Sequence, residues 1–257
     1  MTQKDPAQGN GQLPRRVRLF VTCLVDHLSP EVGEAVVTVL ERLGIEVTVP
    51  LGQTCCGQPA FNGGFWQDSR QMAKHTIKIL EADDSPIVVP SGSCADMMIH
   101  HYPNLFKDEP AWQERAQRVA ELTYEFSQFL VDVLGVTDVG AHFKGTLTYH
   151  PSCHLARSLG VNQQPQTLLA HINEADVVPL PQADQCCGFG GLFSVKFAAI
   201  SEDMLDKKVD AIDESQADHV AGCDLSCLMH INARLHRQGK PTKAVHLAQL
   251  LANQVED

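Results

Sequence analysis

Two stretches decide the fold: Thr54-Cys55-Cys56-Gly57-Gln58 and Gln185-Cys186-Cys187-Gly188-Phe189. Each is followed by a Gly-Gly pair and large apolar residues, Gly63-Gly64-Phe65-Trp66 and Gly190-Gly191-Leu192-Phe193. Working outward, Cys23 corresponds to Cys153, 130 positions on. The Cys-Cys pair recurs after 131 positions, and Ser93-Cys94-Ala95 recurs as Ser226-Cys227-Leu228 after 133. Nearly equal offsets at three places identify an internal duplication. The first copy is read as residues 15–140 and the second as 141–257, after a polar, disordered tail over residues 1–14.

Each copy alternates strand and helix. Arg16–Cys23 is apolar and β-branched, Pro30–Leu43 has helical spacing and stops before Gly44, and Ile45–Pro50 alternates like a strand. Phe65–Leu80 reads as a helix, Ile87–Pro90 as a buried strand and Trp112–Leu134 as a long helix bridging to the second copy. There the plan repeats through Thr146–His150, Gln166–Asn173, Val177–Leu180, Val195–Ser215 and His219–Ala221, with a last helix over Ala244–Ala252. The alternation predicts an α/β fold: a tandem duplication of a parallel-sheet domain, the copies in pseudo-two-fold relation. The cysteines then follow strands and converge on the carboxyl edge, where open α/β sheets bind ligands.

Composition removes several classes. The 257-residue chain has a net charge of −11, which repels phosphate backbones and anionic membrane surfaces, so no nucleic acid is expected as a partner. No apolar run is long enough for a direct membrane span, and the amino terminus lacks the apolar segment of a signal peptide. Nine cysteines, an odd number, in a chain without an export signal argue against a disulfide framework and for a reducing, cytoplasmic location.

The remaining roles are metal ligation, thiol redox chemistry or buried bystanders, and the duplication together with the shared fold placement favours soft metal ligation. The first copy offers Cys23, Cys55, Cys56 and Cys94; the second offers Cys153, Cys186, Cys187, Cys223 and Cys227. Four suit a tetrahedral zinc, whereas five exceed a plain zinc or cubane site and suit a polynuclear iron–sulfur centre. Neighbouring side chains of a Cys-Cys pair reach two metal atoms of one cluster more readily than they form a strained disulfide. Gly57 and Gly188, with no Cβ, let backbone amides approach the cofactor. Cys223 is read either as a fifth ligand or as a small apolar residue ending a strand.

His27, His150 and His154 lie near the first cysteine of each copy and are candidate proton carriers; surface or hydrogen-bonded roles are the simpler reading. The same holds for His100, His101 and His230 beyond the terminal cysteines. Lys196 and Arg157 are candidate carboxylate contacts, with solvated charge as the simpler reading. Gly188-Phe189-Gly190-Gly191 lacks the order of a dinucleotide loop and the Lys-Ser/Thr of a P-loop.

The tandem arrangement resembles the cysteine-rich CCG domain, and most closely the lactate utilization protein A family, related to the cysteine-rich component of heterodisulfide reductase. Phe20–Cys23, Cys55–Pro59, Pro90–Cys94, Tyr149–Cys153, Cys186–Lys196 and Ser226–His230 carry the resemblance, which spans residues 16–252. It implies an oxidoreductase subunit that oxidises L-lactate, a small 2-hydroxy acid, to pyruvate with two other lactate-utilization subunits, one of them a ferredoxin-like iron–sulfur protein. It also implies non-cubane 4Fe-4S clusters on five cysteines per copy, ending in CxxC. This chain departs from that pattern: Ser91 stands where the first copy would have a cysteine, and Cys223 and Cys227 form CxxxC. One or two iron–sulfur clusters are expected, with zinc as an alternative in one copy. The competing functions are a disulfide-reductase-like electron carrier and a zinc-stapled assembly module.

Cys187→Ser is expected to abolish one centre while leaving the fold largely intact. Iron analysis and circular dichroism check this, and unchanged iron content would count against Cys187 as a ligand.

Overall fold

The computed structural model describes residues 13–255, so most of the tail read over residues 1–14 lies outside the described residues. The first half runs β1 (Arg16–Leu19), α1 (Cys23–Leu28), α2 (Pro30–Arg42), β2 (Glu46–Thr48), α3 (Gln58–Asn62), α4 (Trp66–Leu80) and β3 (Ile87–Val89). It continues with α5 (Gly92–Asp96), a π-helical turn over Met97–His101, α6 (Tyr102–Leu105), α7 (Pro110–Leu122), β4 (Thr123–Glu125) and α8 (Phe126–Gln128). A second π turn, Phe129–Val133, leads to β5 (His142–Tyr149), a third over His154–Ser158, α9 (Gln163–Ala170) and β6 (Asn173–Val177). The chain then forms α10 (Leu192–Lys196), α11 (Ala198–Ser215), β7 (His219–Gly222), α12 (Leu225–Arg237), β8 (Lys243–His246) and α13 (Leu247–Leu251).

Two four-stranded sheets result, in the orders β2-β1-β3-β4 and β6-β5-β7-β8. Every pairing is parallel. The strand order is the same in both, so the duplication read from the cysteines is a duplication of topology. In each sheet the connection reverses direction between the first and third strands of the half, β1 and β3 or β5 and β7. That switch point opens a crevice at the carboxyl ends of the strands.

Two apolar clusters are private to the halves. One gathers Phe20, Ile77, Leu80, Ile87 and Met98, the other Val209, Ile212, Val220, Ile231 and Leu235. A third is common: Val17, Val36 and Leu40 pack with Phe126, Leu147, Leu168, Leu247 and Leu250. Helices α2 and α13 meet there, and Arg42 clamps the join by donating to the carbonyls of Val139 and Leu251, both at 3.0 Å. The shared core holds the two sheets in fixed relation.

Four sequence readings are corrected. The bridging helix over Trp112–Leu134 is broken at β4, where Thr123 and Glu125 pair with Ile87 and Val89. Completing the sheet outweighs helical periodicity, and β-branched Thr123 turns its hydroxyl back to the carbonyl of Val119, 2.7 Å away. The strand read over Val177–Leu180 lies earlier, in the polar, largely exposed edge strand β6. The helix read over Val195–Ser215 breaks at Phe197, whose φ of −127° leaves the helical region. The helix read over Ala244–Ala252 is strand β8 followed by α13, joined by a capping box on His246 and Gln249.

Glu125 is fully buried at the end of β4. Its Oε2 accepts from the amides of Ser127 and Gln128 at 2.8 and 3.1 Å, while Oε1 has no partner among the described residues. Burial pushes the carboxyl up to about 7, against those hydrogen bonds. The folded chain therefore holds this proton more tightly than the unfolded one. Stability conferred with the proton bound is lost as pH rises from the usual carboxylate value through about 7, about 3 kcal/mol in all. Glu125→Gln is expected to flatten the decline of the urea midpoint between pH 5 and 8 relative to the parent chain; equal slopes would contradict this.

Candidate metal centre

Eight cysteines form two groups of four. In the first, Cys23 opens α1, Cys55 and Cys56 lie in the loop before α3, and Cys94 sits within α5. Their thiols are linked in the order Cys23, Cys55, Cys56, Cys94, with Cys56 Sγ 3.4 Å from Cys94 Sγ. In the second, the order is Cys153, Cys186, Cys187, Cys227. None of the eight is in a disulfide. The switch point of each sheet thus receives thiols from three separate segments that follow its strands.

The electrostatics repeat as well. Hydrogen bonds from Cys23 and Cys56 pull the Cys55 thiol well below its ordinary range, and those from Cys153 and Cys187 do the same for Cys186. Cys23, Cys56, Cys153 and Cys187 are pushed up by bonding to these same partners and by burial. The thiols of each group therefore compete for negative charge. A cation among them removes that conflict, since thiolates are the ligating form.

Gly57 and Gly188 take φ of +89° and +84°, a left-handed turn that favours glycine. Each donates its amide to the first sulfur of its pair, Cys55 or Cys186, at 3.4 Å. Each turn is latched by a buried serine from the next long helix: Ser69 Oγ donates to Gly57 O at 3.2 Å and Ser201 Oγ to Gly188 O at 2.8 Å. Tyr102 Oη adds a bond to Cys56 O at 2.8 Å in the first half.

Cys223 is not brought to either group. It is 1% exposed in the common core, its Sγ lying 4.0 Å from Tyr149 Oη. It follows β7 at the point where the chain packs on the other half, and its carbonyl accepts from the amide of Gly92. Its neighbour Asp224 caps α12 and accepts from the amide of Ser93 at 2.8 Å, tying the backbone before Cys227 to the backbone before Cys94.

A second polar knot crosses the seam. Asp96, 1% exposed, contacts His154 Nδ1 at 2.6 Å, His100 Nδ1 at 2.8 Å and Ser158 Oγ at 2.5 Å. Burial works against its charge, and bonds from His101, His154, Ser158 and His100 outweigh it, holding the carboxyl well below its usual range. The same bond raises His154.

The remaining candidates have other partners. His230 lies 3.2 Å from Ser201 Oγ and edge-on to Phe189, Arg157 donates to Asp184 O, and Lys196 lies over the Phe65 ring. His27 is exposed beside Asp26. His150 is different: it is buried, and its ligand atom, Cys187 Sγ and Cys227 Sγ all lie within 4.8 Å of one another. Burial lowers it to about 3, so the ring is neutral. The donor chemistry, eight soft sulfurs in two linked groups and one bare imidazole, fits a metal or iron–sulfur group. Ser69, Ser201, Asp96 and Asp224 were not singled out from the sequence; the two serines were findable, since they keep the repeat offset, at 132 positions.

The cysteine-rich domain designated CCG matches the chain twice, over residues 17–99 and 147–232. Lactate utilization protein A of Bacillus cytotoxicus is 52% identical over 236 residues, covering 92% of this chain and 98% of the relative. The protein of the same name from Anoxybacillus flavithermus is 52% identical over 235 residues, covering 91% and 98%. Among solved structures, a hypothetical protein from Helicobacter pylori superposes with a TM-score of 0.60 at 12% identity, over 96% of this chain and 50% of that one, a likeness of fold.

Gly188→Ala is expected to destabilise the chain by about 1–3 kcal/mol, because a left-handed non-glycine residue is strained and its Cβ would fall 2.6 Å from the Ser201 carbonyl. Gly57→Ala should cost less, its nearest contact being the Ser69 hydroxyl at 3.3 Å. Urea midpoints of the two variants check the order.

Proposed function

Because the chain belongs to the lactate utilization protein A family of CCG-domain proteins, we propose that it is the iron–sulfur redox subunit of a lactate-oxidising complex. The observation that carries this reading is the repeated thiol quartet at the switch point of each sheet. Cys23, Cys55, Cys56 and Cys94 hold one centre, and Cys153, Cys186, Cys187 and Cys227 the other. When bound, iron–sulfur clusters supply one-electron steps whose potential follows charge and hydrogen bonding around the sulfurs.

The chain's own residues prepare the sites. Gly57 and Gly188 direct their amides at sulfur, which draws charge from it. Ser69 and Ser201 fix those turns. Asp224 and Asp96 lock the two halves together beside the terminal cysteines. Oxidation of L-lactate to pyruvate releases two electrons and two protons, and two centres in one chain match two electrons taken singly. Asp96 orients His154 through Nδ1, which leaves Nε2 near Gln58, at 3.5 Å, to handle a proton.

The electrons pass to a ferredoxin-like partner, one of two further subunits of the complex. No helix among the described residues is long and apolar enough to cross a membrane. Nine unpaired thiols suit a reducing compartment, the cytoplasm.

Anaerobic purification followed by iron, zinc and acid-labile sulfide analysis tests this. Iron and sulfide in equal amounts, about four of each per filled centre, are expected, with visible absorbance bleached by a reductant. Zinc alone in a colourless protein would overturn the redox reading and favour the assembly module, since zinc has no redox chemistry.

A further inference from the structure

We infer that His150 is a metal ligand of the second centre, a nitrogen donor that the first centre does not have. The inference rests on the metal reading just given and deepens it.

His150 is 1% exposed, and neither Nδ1 nor Nε2 has a hydrogen-bond partner among the described residues. A neutral imidazole carries one donor and one acceptor. Leaving both bare in the interior forfeits their hydration with nothing in return, so buried histidines normally bond a carbonyl or a carboxylate. The chain's other buried histidines do so at one nitrogen or more or stack on a ring: His246 reaches Pro90 O at 3.2 Å, and His219 packs edge-on to Phe143. What His150 has beside it is the sulfur of Cys187 and the sulfur of Cys227.

The duplication supplies an internal control. His150 precedes Cys153 by three residues, and Phe20 precedes Cys23 by three. Phe20 is fully buried, in the same apolar cluster as Cys56 and Cys94, the counterparts of Cys187 and Cys227. The matching position is therefore buried with the matching cysteines in both halves. It carries a hydrocarbon ring in the first and a bare nitrogen base in the second. A ring needed only for filling would be as well served by phenylalanine in both.

A second difference runs in the same direction. Seven residues after Ser201 is Lys208, fully buried, its Nζ bonded to the carbonyls of Gln182 and Ala183 at 3.3 and 3.1 Å. Seven residues after Ser69 the first half has Thr76. A neutral nitrogen ligand adds no negative charge, and a buried cation nearby stabilises the reduced state. With the same four thiolates in each half, the added neutral donor and the buried cation are expected to place the second centre at the higher potential.

The test uses the full chain, grown with 15N-labelled histidine, purified without oxygen, reduced and measured by pulsed electron paramagnetic resonance. A 15N coupling of ligand strength is expected in the parent chain and its loss in His150→Phe, with the first centre's iron retained. Should His150→Phe fail to fold, His150→Cys keeps a donor and is expected to retain iron in both centres while losing the coupling. Filled centres without any 15N coupling, or a coupling that survives either substitution, would overturn the inference. A parent chain that holds no iron would instead contradict the metal reading itself, and this inference with it.

Discussion

Thiols packed at hydrogen-bond distance cannot all ionise. In each half hydrogen bonding pulls the first sulfur of the Cys-Cys pair toward the thiolate and pushes its neighbours toward the thiol. That arrangement is electrostatically frustrated and yet is built twice, from three separate segments each time. The simplest physical account is that the groups are shaped for a cation, whose charge turns mutual repulsion into shared ligation. The left-handed glycines, the serine latches and the cross-seam aspartates all serve to hold those sulfurs where they are.

The parallel sheet makes the gathering possible. Strands that all end at one edge bring loops distant in sequence to one crevice. Duplication then yields two crevices, and the common apolar core under α2 and α13 fixes their relation. Between them lie the polar ties of Asp224 to Ser93 and Asp96 to His154, each joining residues of one half to residues beside the terminal or first cysteine of the other. Close packing at Gly92, where an added Cβ would sit 2.7 Å from Leu155, leaves little freedom at that seam. Two centres held this rigidly can differ in chemistry while sharing a scaffold, as Phe20 and His150 illustrate.

The duplication, the α/β class and the association of cysteines with strand ends were legible because they are written in spacing. Cys55-Cys56-Gly57 and Cys186-Cys187-Gly188 need no tertiary information to be matched. The errors lay where tertiary context overrides local pattern. Strand β4 exists because β3 offers it an edge, and β6 is polar because one of its edges faces outward. Cys223, read either as a fifth ligand or as a small apolar residue ending a strand, lies in the common core beside Tyr149, as the second of those readings has it. His150 was readable only as a histidine near a cysteine; its two bare nitrogens are visible once every neighbour is known. Asp96 and Asp224 act across the seam, and no pattern within one half announces them.

Anomalous diffraction from crystals grown without oxygen, with data collected at the iron edge, tests the central claim most directly. The account predicts two iron-bearing peaks, one among Cys23, Cys55, Cys56 and Cys94, the other among Cys153, Cys186, Cys187 and Cys227 with His150 in contact. Disulfides linking these sulfurs with no metal between them, or iron bound elsewhere on the chain, would contradict it.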